Sequence, residues 1–294
     1  MRLYSISDLQ NFSGIKAHTI RIWEQRYNAL IPTRSDGNTR YYENGQLRRL
    51  LNIVSLMEFG YKPSKLCVMT DDELIAMLKK HHVEDLSADN TFVYFINQLF
   101  SAGISFDEIS FDKILSVCIY KYGIEKTYLQ VIYPLIIKIG FMWSADSLAP
   151  TEEHFMTNLI RQKLDSAIDA LPPAKEGSQS WLLFLPFDEY HEIGLLYAHY
   201  LLKSKGKKVY YLGANVPLDA LNIAIDKIAP ENALLFVVHY SEASKVQVYI
   251  DTIAKNKHIK QKIYIAGNPK ILDNLQLNKK VVRVDTIAEL DMQL

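Results

Sequence analysis

"SWLLFLPFDEYHEIGLLYAHYLLKSKGKKVYYLGANVP", residues 180–217, decides the fold of the second half of the chain. It opens with an unbroken apolar run at 181–185, crosses an acidic loop, continues as an amphipathic stretch closed by Gly206, and returns to a second apolar run. A strand apolar at successive positions is buried on both faces, which is how strands of a parallel sheet covered by helices look in sequence. The alternation continues through "PLDALNIAIDKIAP", "NALLFVVHY", "SKVQVYIDTIAKNK", "QKIYIAG" and "KVVRVD". Five βα repeats predict an α/β domain over 180–294, with a doubly wound parallel sheet.

Ligands of such sheets bind at the carboxyl ends of the strands. "DEYHEIG", 188–194, follows the first strand and so falls at that end. A histidine there is most often an ordinary hydrogen-bonded loop residue. Glu189 changes the weighting, because a carboxylate two residues earlier can hold one imidazole nitrogen and aim the other outward, as a metal-ligating His191 requires. Gly194, without a Cβ, would let the next helix approach a bulky ligand.

Upstream, "LPPAKEGSQS" is the clearest linker in the chain. Residues 91–171 are rich in Phe, Ile, Leu and Tyr at helical spacing, with breaks near Gly103, Gly123 and "WSADSLAP", and predict a four-helix bundle, with room for a fifth helix. At its end "WSADSLAPTEEH" sets Trp143 ahead of Glu153 and His154. A core tryptophan and a helix start near Thr151, where Glu152 and Glu153 suit the positive end of the dipole, account for the residue types.

Residues 1–72 have a different texture. "YSISDLQNFSG" is a short helix with Ser5 as cap and Asp8 three places on, stopped by Gly14. In "KAHTIRIWEQRYNAL" Ile20, Trp23, Tyr27 and Leu30 share a helical face. "IPTRSDGNTRYY" has the turn residues of a small hairpin or wing, ending in Arg40, Tyr41 and Tyr42. One helix then runs to Gly60, and another, opened by Pro63, through Lys80. Residues 73–90 form a connecting helix and linker. The first 50 residues hold eight Lys/Arg against four acids in a chain of net charge zero, so a polyanion would meet the N-terminus. A winged helix-turn-helix would place Lys16, His18, Thr19 and Arg21 in the major groove of double-stranded DNA, with Arg26 beside them, while Arg40, Tyr41 and Tyr42 of the wing meet phosphates.

The two cysteines, Cys67 and Cys118, lie far apart in apolar settings and offer neither a disulfide framework nor a thiolate zinc site. No run approaches the roughly 20 apolar residues of a membrane span, and the N-terminus lacks a signal-type apolar stretch. A cytoplasmic protein with no membrane partner is expected. No Ser/His/Asp triad, P-loop or dinucleotide glycine fingerprint is present, so an enzyme is not expected.

The string "TIRIWEQRYNALIPTRSDGNTRYY" resembles the signature of MerR-type winged-helix regulators. Glu189, His191 and Gly194 resemble the Asp/Glu-x-His-x-x-Gly pattern of cobalamin-binding α/β domains, in which that histidine is the lower axial ligand of cobalt; "YYLGANVP", with Gly213, resembles their second strand and turn. Trp143, Glu153 and His154 resemble the Trp-x9-Glu-His pattern of light-responsive MerR-type regulators of the CarH/LitR group, where these residues cover the adenosyl group. The resemblance implies adenosylcobalamin as cofactor, held also by Gly267, and a transcriptional regulator whose cofactor controls assembly and DNA binding. MerR-type proteins dimerise through a long helix after the wing helices; the equivalent stretch near 72–88 is short and polar, so a homo-oligomer, dimer or tetramer, would rest on the later domains. The chain departs from the family where Val237 stands for a serine, His239 for a Leu or Thr, and Asn268 for the second of two glycines. Those positions receive the nucleotide tail of the cofactor, so Val237 and Asn268 are expected to narrow its pocket. A degenerate domain answering to a protein or another ligand is the alternative. A cobalamin-dependent methyltransferase module is weaker, since no substrate domain is visible.

Overall fold

The computed structural model describes residues 3–35, 37–80, 88–144, 148–239 and 243–293. It divides into two compact units, Met1–Ile160 and Arg161–Leu294, each taken by itself below. Asp36 of the wing stretch lies outside the described residues, as do 81–87 of the connecting stretch and Ser241, the nearest hydroxyl to the position where Val237 stands for a serine.

In the first unit, α1 (Ile6–Ser13) starts at a complete capping box: the Asp8 N–H donates to Ser5 Oγ at 3.1 Å and the Ser5 N–H to Asp8 Oδ2 at 2.7 Å. Gly14, at φ 73°, ends it in the left-handed conformation glycine adopts without a Cβ penalty. After α2 (Ala17–Tyr27), strands β2 (Thr33–Arg34) and β3 (Arg40–Glu43) form the wing. β1 (Leu3–Tyr4) pairs with the other edge of β3, giving an antiparallel order β1-β3-β2. The long α3 (Asn44–Glu58) lies beneath, with Leu47, Leu50, Leu51 and Ile53 fully buried.

The single helix expected from Pro63 to Lys80 is two, α4 (Pro63–Leu66) and α5 (Asp71–Lys80). Thr70 explains the interruption. Its N–H donates to Glu73 Oε2 at 2.7 Å while the Glu73 N–H donates to Thr70 Oγ1 at 3.3 Å, a second capping box that starts a new helix. Arg49 ties the pieces together: its guanidinium donates to Ala29 O, Cys67 O and Met69 O and pairs with Asp71 at 2.6 Å. This arginine of the basic excess is committed to the protein's own backbone.

The helical region comprises α6 (Ala88–Ile104), α7 (Glu108–Thr127), a π-turn over Tyr128–Ile132, α8 (Tyr133–Ser144) and α9 (Pro150–Asp169). Gly123 breaks α7 at φ 76°, ψ 167°, where the sequence expects a break. A Cβ on Gly103 would sit 2.2 Å from Met156 Sδ, so α6 and α9 meet over that glycine. The region does not stand apart from the winged helix. α6 packs along α3, Gln98 Nε2 donates to Ser55 Oγ at 2.9 Å, and Phe100 meets Phe12 of α1 with ring centroids 5.4 Å apart.

The second unit is a five-stranded, all-parallel sheet of β4 (Ser180–Pro186), β5 (Lys208–Val216), β6 (Asn232–Val237), β7 (Ile263–Gly267) and β8 (Val281–Val284), in the order β5-β4-β6-β7-β8. Residue alternation sends Leu182, Phe184, Ala233, Leu235, Val237, Ile263 and Ile265 into one core with α11 (Leu218–Ile228) and α12 (Ala243–Lys255). Trp181 and Tyr264 point to the other face, where they stack at 5.0 Å; α10 (Ile193–Ser204) packs on β4, β5 and β6 and α14 (Ile287–Gln293) on β8. The chain reverses direction across the sheet between β4 and β6. That switch point opens a crevice at the strands' carboxyl ends, and the DEYHEIG loop leaves β4 into it.

Candidate functional site

Glu189 is fully buried and accepts five hydrogen bonds. Oε1 takes the N–H of Tyr190 (3.0 Å), the N–H of His191 (3.1 Å) and His191 Nδ1 (2.6 Å). Oε2 takes the N–H groups of Val238 and His239, each at 2.8 Å. The carboxylate therefore bridges the switch point, binding the loop after β4 to the end of β6. Burial alone would raise its pKa, but the imidazole and the N–H groups of His239, His191 and Val238 outweigh that and push it down to about 2.

A carboxylate acceptor on Nδ1 places the imidazole proton there and leaves the lone pair of the neutral ring on Nε2. The His191 side chain is 48% exposed, so the ring stands at the crevice mouth on a buried support. His239 lies beside it, with ring centroids 5.8 Å apart. Among the described residues no group of three or more His, Cys, Asp and Glu gathers as a metal cage.

Two further residues lock this loop, and sequence reasoning did not single them out. Asn215, left-handed at φ 57°, accepts the Asp188 N–H at 2.9 Å on its side chain and donates its own N–H to Glu189 O at 3.0 Å. Tyr249 OH accepts the Phe187 N–H at 3.0 Å and donates to Val216 O at 2.8 Å. Neither carries a local signal; each acts across more than 25 residues of chain.

Each glycine faces protein. A Cβ on Gly267, at φ 142°, would lie 1.9 Å from Val237 O. One on Gly213, at φ 78°, would lie 2.9 Å from Glu192 Oε1, a carboxylate that also accepts the Tyr211 hydroxyl at 3.0 Å and pairs with Arg161 at 2.9 Å. One on Gly194 would meet the Phe236 ring at 3.0 and 3.1 Å. This corrects the expectation that Gly194 leaves room for a ligand: in this structure the room is taken by Phe236. The expectation for Val237 is corrected as well, since its side chain is buried in the α11–α12 core, on the face away from α10. Strand alternation makes Phe236 the residue on Gly194's face. Asn268 caps α13 (Pro269–Leu272), its Oδ1 accepting the Lys270 N–H at 3.0 Å. A cavity of about 390 Å³ opens there, lined by Val238, His239, Asn268, Lys270, Ile271 and Asn274, with Ala243 at its edge.

In the first unit, Trp143 ends α8 and is 41% exposed. Glu153 and His154 stand in the first turn of α9, joined by an ion-pair contact of 2.6 Å from Nδ1 to Oε2, with His154 72% exposed. Buried Glu152 instead accepts the Ala149 N–H at 2.9 Å and serves the helix start.

On the winged helix, Lys16, His18, Arg21 and Arg26 are exposed along α2, and Thr19 is half-buried beside them. Arg34 of β2 is exposed as well and bonds to Asn38 across the wing turn. Arg40 is partly exposed and donates from Nε to buried Glu24 at 3.1 Å; Tyr41 is half-buried. Tyr42 contradicts its expected role. It is wholly buried and bonds through its hydroxyl to Glu24, with burial and that bond raising its pKa. The two-residue period of β3 turns Tyr42 inward where Tyr41 turns outward, so it anchors the wing and offers nothing to a phosphate.

Comparison with known proteins follows the same division. Residues 4–70 match the MerR HTH family of regulatory proteins, and residues 95–167 match the B12 binding domain. Over 236 residues, 79% of this chain and 76% of the relative, the chain is 30% identical to the HTH-type transcriptional repressor CarA of Myxococcus xanthus. The chain belongs to the CarA/CarH family of MerR-type transcriptional regulators. CarH of the same organism is 25% identical over 233 residues, 78% of this chain and 77% of its own. The monomethylamine corrinoid protein of Methanosarcina barkeri superposes with a TM-score of 0.54 at 12% identity, over 68% of this chain and 96% of that one, which shows a shared fold. Both of these Myxococcus xanthus relatives are transcriptional repressors. Among the described residues of this chain, no helix is long and apolar enough to cross a membrane.

Proposed function

We propose that this CarA/CarH-type regulator senses a corrinoid of the adenosylcobalamin type and uses its occupancy to control homo-oligomerisation and binding to double-stranded DNA in the cytoplasm. His191 would supply the imidazole that ligates cobalt, with Glu189 holding its ring, and Trp143, Glu153 and His154 would be the residues that serve the adenosyl group. DNA is read by Lys16, His18, Thr19 and Arg21, with Arg26, Arg40 and Tyr41 against phosphates. The observation that carries the sensor is Glu189: a buried carboxylate spending one oxygen on an imidazole Nδ1 and its own loop, and the other on the facing strand.

The donor set suits the metal. An imidazole whose Nδ1 is held by an anion is a stronger, fixed donor through Nε2. The tail side of the site suits the group less well, because Phe236, Glu192 and the Val237 carbonyl fill the space beside the three glycines. When bound, the group supplies a cobalt–carbon bond that light can break. A ligand shifts an assembly equilibrium only by its differential affinity for the two states, and moving it from about 1:99 to 99:1 needs roughly 10⁴-fold.

The test is to purify the chain in darkness with adenosylcobalamin and record its absorption spectrum, elution volume and operator-length DNA binding before and after illumination. Co-eluting corrinoid, a spectrum altered by His191→Ala, and a light-dependent change in size support the reading. Protein that elutes without any corrinoid refutes it. The Phe236 ring favours a second reading, in which the α/β unit no longer takes cobalamin and answers to a protein or another ligand.

A further inference from the structure

The geometry points to Phe236 as the residue that decides which corrinoid this unit accepts: its ring fills the slot beside Gly194, so the unit takes corrinoids without burying a nucleotide base and prefers those that lack one. The inference rests on the corrinoid reading above and sharpens its ligand class.

When a protein imidazole occupies the lower axial position of cobalt, the corrinoid's own base can no longer sit there. It must be buried in the protein or left in water. Burial of an aromatic base would need an apolar path near His191, between the sheet and the first turn of α10. The residues bordering that path are Gly194 in the first turn of α10 and Phe236 on the neighbouring strand. They are in contact: a Cβ on Gly194 would already touch Cε1 and Cδ1 of the ring at 3.0 and 3.1 Å. No base fits between groups at van der Waals distance.

The other borders are equally committed. The space beside Gly213 holds Glu192 Oε1, fixed by Tyr211 and Arg161, and the space beside Gly267 holds the Val237 carbonyl, which accepts the Asn268 N–H at 2.8 Å. The Val237 carbonyl is backbone and the Glu192 carboxylate is held by Tyr211 and Arg161, whereas Phe236 is an apolar ring that a single substitution removes. The 390 Å³ cavity near His239 is no substitute for a dry slot, since Asn268, Lys270 and Asn274 line it with polar groups.

The experiment compares hydroxocobalamin with aquohydroxocobinamide, which lacks the nucleotide, by spectrophotometric titration of the full chain. Wild type, Phe236→Ala and Phe236→Leu are titrated, with His191→Ala to identify the ligated spectrum. Wild type is expected to bind cobinamide at least as tightly as cobalamin. Phe236→Ala is expected to improve cobalamin binding at least about tenfold, the return for burying an aromatic base, while moving cobinamide less than about threefold. Phe236→Leu keeps apolar bulk in the slot and should retain the wild-type ratio, which separates slot opening from loss of stability. Tighter binding of cobalamin than cobinamide by wild type would place the base elsewhere and overturn the proposal, as would a Phe236→Ala ratio unchanged from wild type. Cobinamide bound with cobalamin refused, and cobalamin admitted by Phe236→Ala, supports the proposal while removing adenosylcobalamin as the natural ligand. Neither corrinoid bound by any variant overturns this inference and the sensor reading together.

Discussion

Replacing Glu189 by glutamine should be almost as damaging as replacing it by alanine, and that equivalence is the sharpest consequence of the site. All five groups on this carboxylate are donors, four backbone N–H groups and one imidazole N–H. An amide offers one accepting oxygen and one NH2. Whichever way it is turned, the NH2 faces donors: either Val238 and His239, or the loop and the imidazole. Hydrogen bonds to a charged acceptor contribute about 1.5–3 kcal/mol each, and a buried donor left without a partner costs about 1–3 kcal/mol. Water reaches the exposed rim of the loop, so the sum falls well below five full terms, at about 3–5 kcal/mol for either variant.

The same hydrogen bonds also make the contribution of this group depend on pH. Its carboxyl drops from the ordinary 4.5 to about 2 in the folded protein, which corresponds to about 3 kcal/mol of stabilisation. Because the folded pKa is the lower one, this stability is fully present above pH about 4.5 and is lost as pH falls toward 2. Urea denaturation at pH 7 and at pH 3, with amide hydrogen exchange of Val238 and His239 as the local probe, measures both effects. Both variants should lose about 3 kcal/mol or more at pH 7 and much less at pH 3, and both amides should lose protection. A Glu189→Gln protein within about 0.5 kcal/mol of wild type at pH 7, with those amides still protected, would refute the reasoning.

Arg49→Ala should destabilise the first unit by about 2–4 kcal/mol, read from its urea midpoint, since three backbone carbonyls and Asp71 lose one shared donor. Tyr42→Phe should cost about 1 kcal/mol of stability and leave the salt dependence of DNA binding unchanged, whereas Arg26→Ala should flatten the log–log slope by about 0.9 for the one phosphate it no longer neutralises. An altered slope in Tyr42→Phe would restore that hydroxyl to the interface. Gly267→Ala should lower stability by about 2–4 kcal/mol in a thermal melt, because φ 142° and a carbonyl 1.9 Å from the added carbon leave no relaxed conformation. A melt at the wild-type temperature would show that the β6–β7 crossing can open.

Much of the architecture was legible from spacing. Apolar runs at 181–185 and 233–237 announced strands buried on both faces, and Ser5 with Asp8 announced a capped helix. These features depend on neighbours in the chain, where period and propensity act directly. Glu189 and His191 were legible for the same reason, being two residues apart, and the 2.6 Å contact between them is the one expected. The interruption at Thr70 was written locally too, in a Thr-x-x-Glu pattern overlooked beside the stronger signal of Pro63.

What lay beyond the sequence is which side of a strand or wing each residue serves. A shift of one position reverses every side chain of a β-strand, so register alone buries Tyr42 against Glu24, sends Val237 into the far core, and lays Phe236 on Gly194. Sequence by itself determined that this chain joins a basic winged helix, a helical region and a doubly wound sheet, and that the DEYHEIG loop follows the first strand of that sheet. Only the tertiary structure decided that the crevice is stapled by Asn215 and Tyr249 and obstructed by an aromatic ring, because those contacts join segments tens of residues apart whose meeting no local pattern encodes.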